Sequence, residues 1–167
     1  MARTRSTLEI SAKSIRHWLD WLLQGGGAHI DFDAAVSGLS PQWRGAKAPG
    51  LPHTPWQLLE HMRIAQWDIL DFCRNPKYKS MPWPESYWPK REAPRKGEWE
   101  KSVRKFRADL AAMRKLVSDP STSLDAPIRW GDGQTILREA LLIADHTSYH
   151  LGQLVLVSKA LGAWQED

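Results

Sequence analysis

The segment from Ile136 to Leu161 constrains this chain more than any other. It is long, mostly apolar and free of proline, and it is expected to form a helix from about Gln134 to Leu161, roughly 40 Å long at ~1.5 Å per residue. Gly162 follows as a natural terminator. A helix of that length in a chain of 167 residues has to bury its apolar stripe against partners of similar length. Three such partners are legible. From about Thr7 to Gln24, Leu8, Ile15, Trp18, Leu19 and Leu22 recur at helical spacing, and Gly25, Gly26 and Gly27 then end the helix. A second opens with Thr54 as N-cap, Pro55 at the first helical position and Gln57 completing a capping box, and runs to about Phe72 or Cys73. A third, from about Glu98 to Ser118, carries Val103, Phe106, Leu110, Met113 and Val117, and is stopped by Asp119 and Pro120. Four long amphipathic segments predict an all-α fold, a four-helix bundle, with residues 1–167 as a single domain and no internal repeat.

The pieces between are less regular. A short helix is expected from Phe32 to Leu39 behind Asp31, then loop from Ser40 to His53, where Pro41, Pro49 and Pro52 fall. From Asn75 to Lys96 the composition shifts to Pro, Trp, Tyr and charge. That predicts a long irregular crossover between the second and third long helices, taken as antiparallel, laid over one end of the bundle and capping whatever site lies there. Leu124 to Trp130 has mild extended character before a turn at Gly131, Asp132 and Gly133.

One cysteine, Cys73, excludes an internal disulfide, and MARTRSTLEI has no apolar core of a signal peptide; both point to a cytoplasmic protein. No apolar run reaches the ~20 residues needed to span a bilayer, so no membrane partner is expected. The net charge of +4 would suggest nucleic acid only if the basic residues formed a stripe. Between Arg74 and Arg107 they cluster, but Glu85, Glu92, Glu98 and Glu100 interrupt them, which reads as a solvated surface and argues against a nucleic-acid partner. Ten tryptophans are a marked excess, suited to a core, an interface or an apolar pocket alike.

Chemistry enters with His146 and His150. Four residues apart on a helix, two imidazoles stack on one face and can reach one metal ion. The third ligand is open between His61, which shares a face with Leu58, Ala65, Ile69 and Phe72, and its rival His53 beside the helix cap. A three-nitrogen site keeps positions open, as catalytic metals do, and suits Zn, Ni or Fe. His17 and His29 read as surface or capping residues. The run His146, Thr147, Ser148, Tyr149, His150 lacks the Glu directly after the first His that a zincin helix requires, so no peptidase follows. Asp145 points about 100° away from His146 on the helix. Asp68 and Glu139, each two turns from a histidine on its face, are candidates to orient an imidazole, and Tyr149 to reach the rim.

The segments TPWQLLEHM and GDGQTILREALLIADHTSYHLGQLV, with the aromatic and proline-rich stretch between them, resemble the DinB-like family of damage-inducible and related proteins. The likeness runs from about Ile15 to Trp164. It implies a four-helix bundle, often a homodimer, with a divalent transition metal held by His61, His146 and His150. Some relatives are thiol-dependent transferases or isomerases using mycothiol, bacillithiol or glutathione. The function expected on this basis is that of a metal-dependent enzyme on a small molecule. In it a low-molecular-weight thiol or a water would be activated at the open position, and Trp83, Tyr87 and Trp88 would shape an apolar pocket. The alternative is a non-catalytic, metal-stabilised stress-response or binding protein.

Overall fold

The computed structural model describes residues 11–164. Helices α1 (Ala12–Gln24), α2 (Phe32–Ser37), α3 (Pro55–Arg74), α4 (Glu98–Ser118) and α5 (Ile136–Ala160) follow in order, with one 3-10 turn at Pro41–Trp43. Among the described residues the only β-type pairing is an isolated bridge between Pro127 and Thr135, all that the extended character of Leu124 to Trp130 produces. The four long helices form the expected all-α bundle, in which α3 packs on α4 and α5, and α1 closes the ring against both.

Each start is fixed by a hydroxyl or carboxylate accepting from a free backbone N–H, except at α4, where Gly97 in the left-handed region turns the chain. Asp31 caps α2 and Thr135 caps α5. Ser11 caps α1 in an extended conformation, so that helix begins at Ala12; residues 7–10 of the expected helix lie outside the described ones. The capping box on α3 is present as the sequence indicates, Thr54 Oγ1 accepting from Gln57 N and Gln57 Oε1 accepting from Thr54 N. Gly25 takes φ 75°, a backbone that only glycine adopts cheaply, and ends α1.

The helix directions correct the antiparallel crossover. Glu60 meets Ser102 and Gln66 meets Phe106, so α3 and α4 ascend together and are parallel. Arg16 donates to the Val117 and Thr122 carbonyls while Arg114 pairs with Asp20, so α1 runs against α4. Parallel neighbours cannot be joined by a short turn: the chain must return the length of a helix, about 30 Å for twenty residues. Residues 75–97 make that return along the bundle's side instead of lying across its end. The crossover is fastened at successive levels: Tyr78 and Tyr87 hydroxyls donate to Asp68, the Tyr87 carbonyl meets His61, and Thr54 Oγ1 donates to the Glu92 carbonyl at 2.6 Å.

The buried apolar residues fall into two clusters. One gathers Phe32, Trp56, Leu59, Met62, Phe106 and Leu154. The other gathers Leu23, Leu70, Met113, Val117, Ala140 and Ile143. Phe32 stacks on Phe106 at 3.8 Å between ring centroids, which seats the short α2. No helix among the described residues is long and apolar enough to cross a membrane.

Thr54 carries both a helix cap and the far end of the crossover from a position with no exposed surface. Thr54→Ala is therefore expected to cost about 1–3 kcal/mol in urea unfolding, through the lost cap and the unsatisfied Glu92 carbonyl. Thr54→Ser, which keeps the hydroxyl, should recover most of it.

Candidate metal centre

Helix α5 brings His146 and His150 to one face, and α3, running against it, brings His61 between them. His61 Nε2 lies 3.1 Å from His150 Nε2 and 3.0 Å from His146 Nε2. The three rings are packed at centroid separations of 4.8, 4.5 and 4.4 Å. His61 is 2 % and His150 7 % exposed, so both sit in the interior, in the interval between the two apolar clusters.

The partners of the other ring nitrogens decide the tautomers. A carbonyl only accepts, so His61 Nδ1–H donates to the Tyr87 carbonyl at 2.9 Å. His150 Nδ1–H donates to Gln153 Oε1 at 2.7 Å. Each neutral ring then carries a bare lone pair on Nε2, and the two lone pairs face each other. A shared proton would reconcile them only if one ring became a cation, and burial opposes that. Burial holds His61 down to about 4, against its hydrogen bond to the Tyr87 carbonyl, which favours protonation. Burial, with His150 and His61 adding, holds His146 down to about 3. His150 is lowered by burial as well. The donor set is one that a divalent cation satisfies: nitrogens bound at about 2.0–2.1 Å to one tetrahedral ion stand roughly 3.3 Å apart. These three histidines could hold a metal ion.

The surroundings complete the arrangement and alter some expectations. Asp68, 7 % exposed, touches no imidazole; it accepts from Tyr87 Oη at 2.6 Å and from Tyr78 Oη at 3.0 Å. It thereby reaches His61 at one remove, by holding the residue whose carbonyl orients that ring. Burial and the Asp68 carboxylate push the Tyr78 phenol up to about 12 and the Tyr87 phenol up also, so both remain protonated donors. Glu139 is buried against Arg138 and not against a histidine. Asp145 is exposed, and Tyr149, 64 % exposed, stands edge-on to His150. His53, the rival of His61, stays outside the cluster and stacks on Trp88, which stacks in turn on His61 at 3.8 Å and 4°. His17 lies against Trp18, and His29 bonds Ser148.

A cleft of about 830 Å³ opens beside the triad, lined by His146, Asp68, Tyr87, Trp83, Phe72 and Trp130 among others. Trp83 and Tyr87 line it as expected. Trp88 does not, because it is the middle layer of the His53–Trp88–His61 stack. Gln153 and Tyr78 were not singled out from the sequence. Gln153 could have been, since it stands three residues after His150 on the same helical face; Tyr78 meets Asp68 only through the path of the crossover.

In the chain without a bound ion, the depressed values set the sign of the pH dependence. The unfolded chain binds protons on these rings near 6.5 while the folded chain refuses them down to about 4 at His61 and about 3 at His146, so the stability they support is complete above 6.5 and drains as pH falls through that window. Thermal melts of chelator-treated protein should show the decline beginning just below pH 6.5, and a His146→Gln variant should lose less over the same range.

A family model described as the DinB superfamily matches residues 28–154. No curated protein and no solved structure matches the chain significantly.

Proposed function

From the premise that the chain belongs to the DinB superfamily, we propose that it is a divalent-metal protein, a single domain in which His61, His146 and His150 are the ligands, and that it acts as a metal-dependent enzyme on a small molecule. The observation that carries this reading is the convergence of three Nε2 atoms at 3.0–3.1 Å, those of His61 and His150 bare, beside a cleft that His146 itself lines. When bound, an ion such as Zn, Ni or Fe supplies Lewis acidity that lowers the pKa of a thiol or water at its open position.

The protein's own residues supply the rest. Tyr87 and Gln153 hold two imidazoles in the tautomer that exposes Nε2. Trp88 lies flat on His61 and excludes water from that side. Phe72, Trp83 and Trp130 give the cleft aromatic walls, and its volume, about 830 Å³, is within the range of small-molecule sites. The chain's one thiol cannot serve as the nucleophile: Cys73 is buried, and burial with the Glu139 charge pushes it up to about 12. This supports a low-molecular-weight thiol taken from solution as the co-substrate in a transferase. Adjacent α1 and α5 leave Trp18, Trp21, Leu141 and Leu156 exposed, and these are the surfaces through which a homodimer would form.

A second reading, a non-catalytic protein stabilised by its metal, is favoured by one observation: the triad joins α3, α5 and the crossover at a buried point. It predicts a large loss of thermal stability on chelation with no turnover of any thiol and electrophile pair.

Elemental analysis of tag-free protein is expected to find about one equivalent of a transition metal, and none in a His146→Ala, His150→Ala double variant; no metal in the parent would end the reading. Tyr87→Phe leaves the carbonyl in place but frees it from Asp68, and competition with a chelator should show metal affinity weakened by about tenfold.

A further inference from the structure

A second cleft, of about 310 Å³, lies between the first halves of α3 and α4, where Pro89, Lys90 and Arg91 of the crossover pass over them. It shares no lining residue with the histidine cleft. Both carboxylates that line it are already spent. Glu60 accepts both N–H bonds of a fork from Arg63, at 2.7 and 3.0 Å, and a further bond from the Ser102 hydroxyl. Glu98 accepts from Arg91 at 2.7 and 2.9 Å and from the Arg95 backbone N–H.

What is left is positive. Lys90, Lys101 and Lys105 line the cleft and are exposed, and their ammonium groups form no hydrogen bond or ion pair among the described residues. Lys101 and Lys105 stand four apart on α4, a spacing at which like charges repel. Asp109, one turn beyond Lys105, shares its field with Arg63 and Arg74 as well and does not cancel the excess. Trp56, which also lines the cleft, gives a second, independent sign. Trp56 is 4 % exposed, and its indole N–H, which can only donate, has no acceptor among the described residues. A buried donor without a partner is costly, and this one belongs to a wall of the cationic cleft.

We propose that this cleft binds a small polyanion, a free metabolite of the di- or triphosphate class, with Lys90, Lys101 and Lys105 neutralising its charge beside the Trp56 side chain that lines the cleft. Lysine serves phosphate as a point charge that needs no fixed fork, which suits three flexible side chains over a concave floor. A nucleic-acid strand fits less well, because the three unpaired lysines line one concave cleft of about 310 Å³, whereas a strand binds through a succession of phosphates. The site stands whether or not the histidines hold a metal.

The probe is inorganic pyrophosphate, titrated into the full chain at low ionic strength and read both by calorimetry and by the indole N–H resonance of Trp56, assigned with Trp56→Phe. Binding should shift that resonance. The Lys101→Gln, Lys105→Gln variant, whose changes are exposed and far from the core, should bind roughly tenfold or more weakly, with a shallower dependence of log Kd on log salt. The proposal is overturned by the absence of binding, and equally by unchanged affinity in the lysine variant, which would place pyrophosphate on the histidine centre. Tighter binding of a single-stranded oligonucleotide with affinity rising with its length would also overturn it, and would make the surface a nucleic-acid one.

Discussion

The hydrogen bond from His61 Nδ1–H to the Tyr87 carbonyl joins the two parts of this protein that the rest depends on. On one side is a bundle helix whose histidine is buried; on the other is a crossover with no regular structure of its own. A loop as long as residues 75–97 would ordinarily be costly to order. Here its backbone carbonyl satisfies a buried N–H, its phenol satisfies a buried carboxylate, and Trp88 covers an imidazole face. Ordering the crossover and orienting the histidine are one event. For that reason Asp68 matters although it touches no histidine.

The parallel relation of α3 and α4 explains why such a crossover exists. An up-down bundle joined by short turns leaves its sides bare. Two parallel neighbours force the chain back along the bundle, and that return path creates two clefts of different character. Toward the histidines it lays Trp83 and Tyr87, giving aromatic walls. Toward the first turns of α4 it lays Lys90 and Arg91, giving a cationic rim.

Burial of three imidazoles is unfavourable for any one of them in its charged form, so all are held neutral, and two are tied in the tautomer that exposes Nε2. Neutral rings with converging lone pairs are unstable company for one another and good company for a cation. The same packing that lowers their affinity for protons leaves them as a group that could hold a metal ion.

Periodicity determined much by itself. The apolar spacing in Ile136 to Leu161, the Thr54, Pro55 and Gln57 start signal, and the glycines after Gln24 specify helices through local backbone chemistry, which neighbouring residues alone decide. The four-residue interval of His146 and His150 and the helical face of His61 were legible for the same reason. Three things were not. The direction of α4 relative to α3 depends on which apolar stripes bury most area together, and no local signal records it; the crossover was accordingly placed across an end and lies along a side. Trp88, which composition suggests for a pocket wall, is a stacking layer between His53 and His61, because its choice of neighbour follows from that path. The register of Asp68 points toward a histidine, yet its partners are two tyrosines that come from 10 and 19 residues away. Sequence determined which helices form and which faces carry nitrogen. Tertiary structure decided which nitrogens are bare, since a tautomer is set by the one acceptor that packing brings to the other side of the ring.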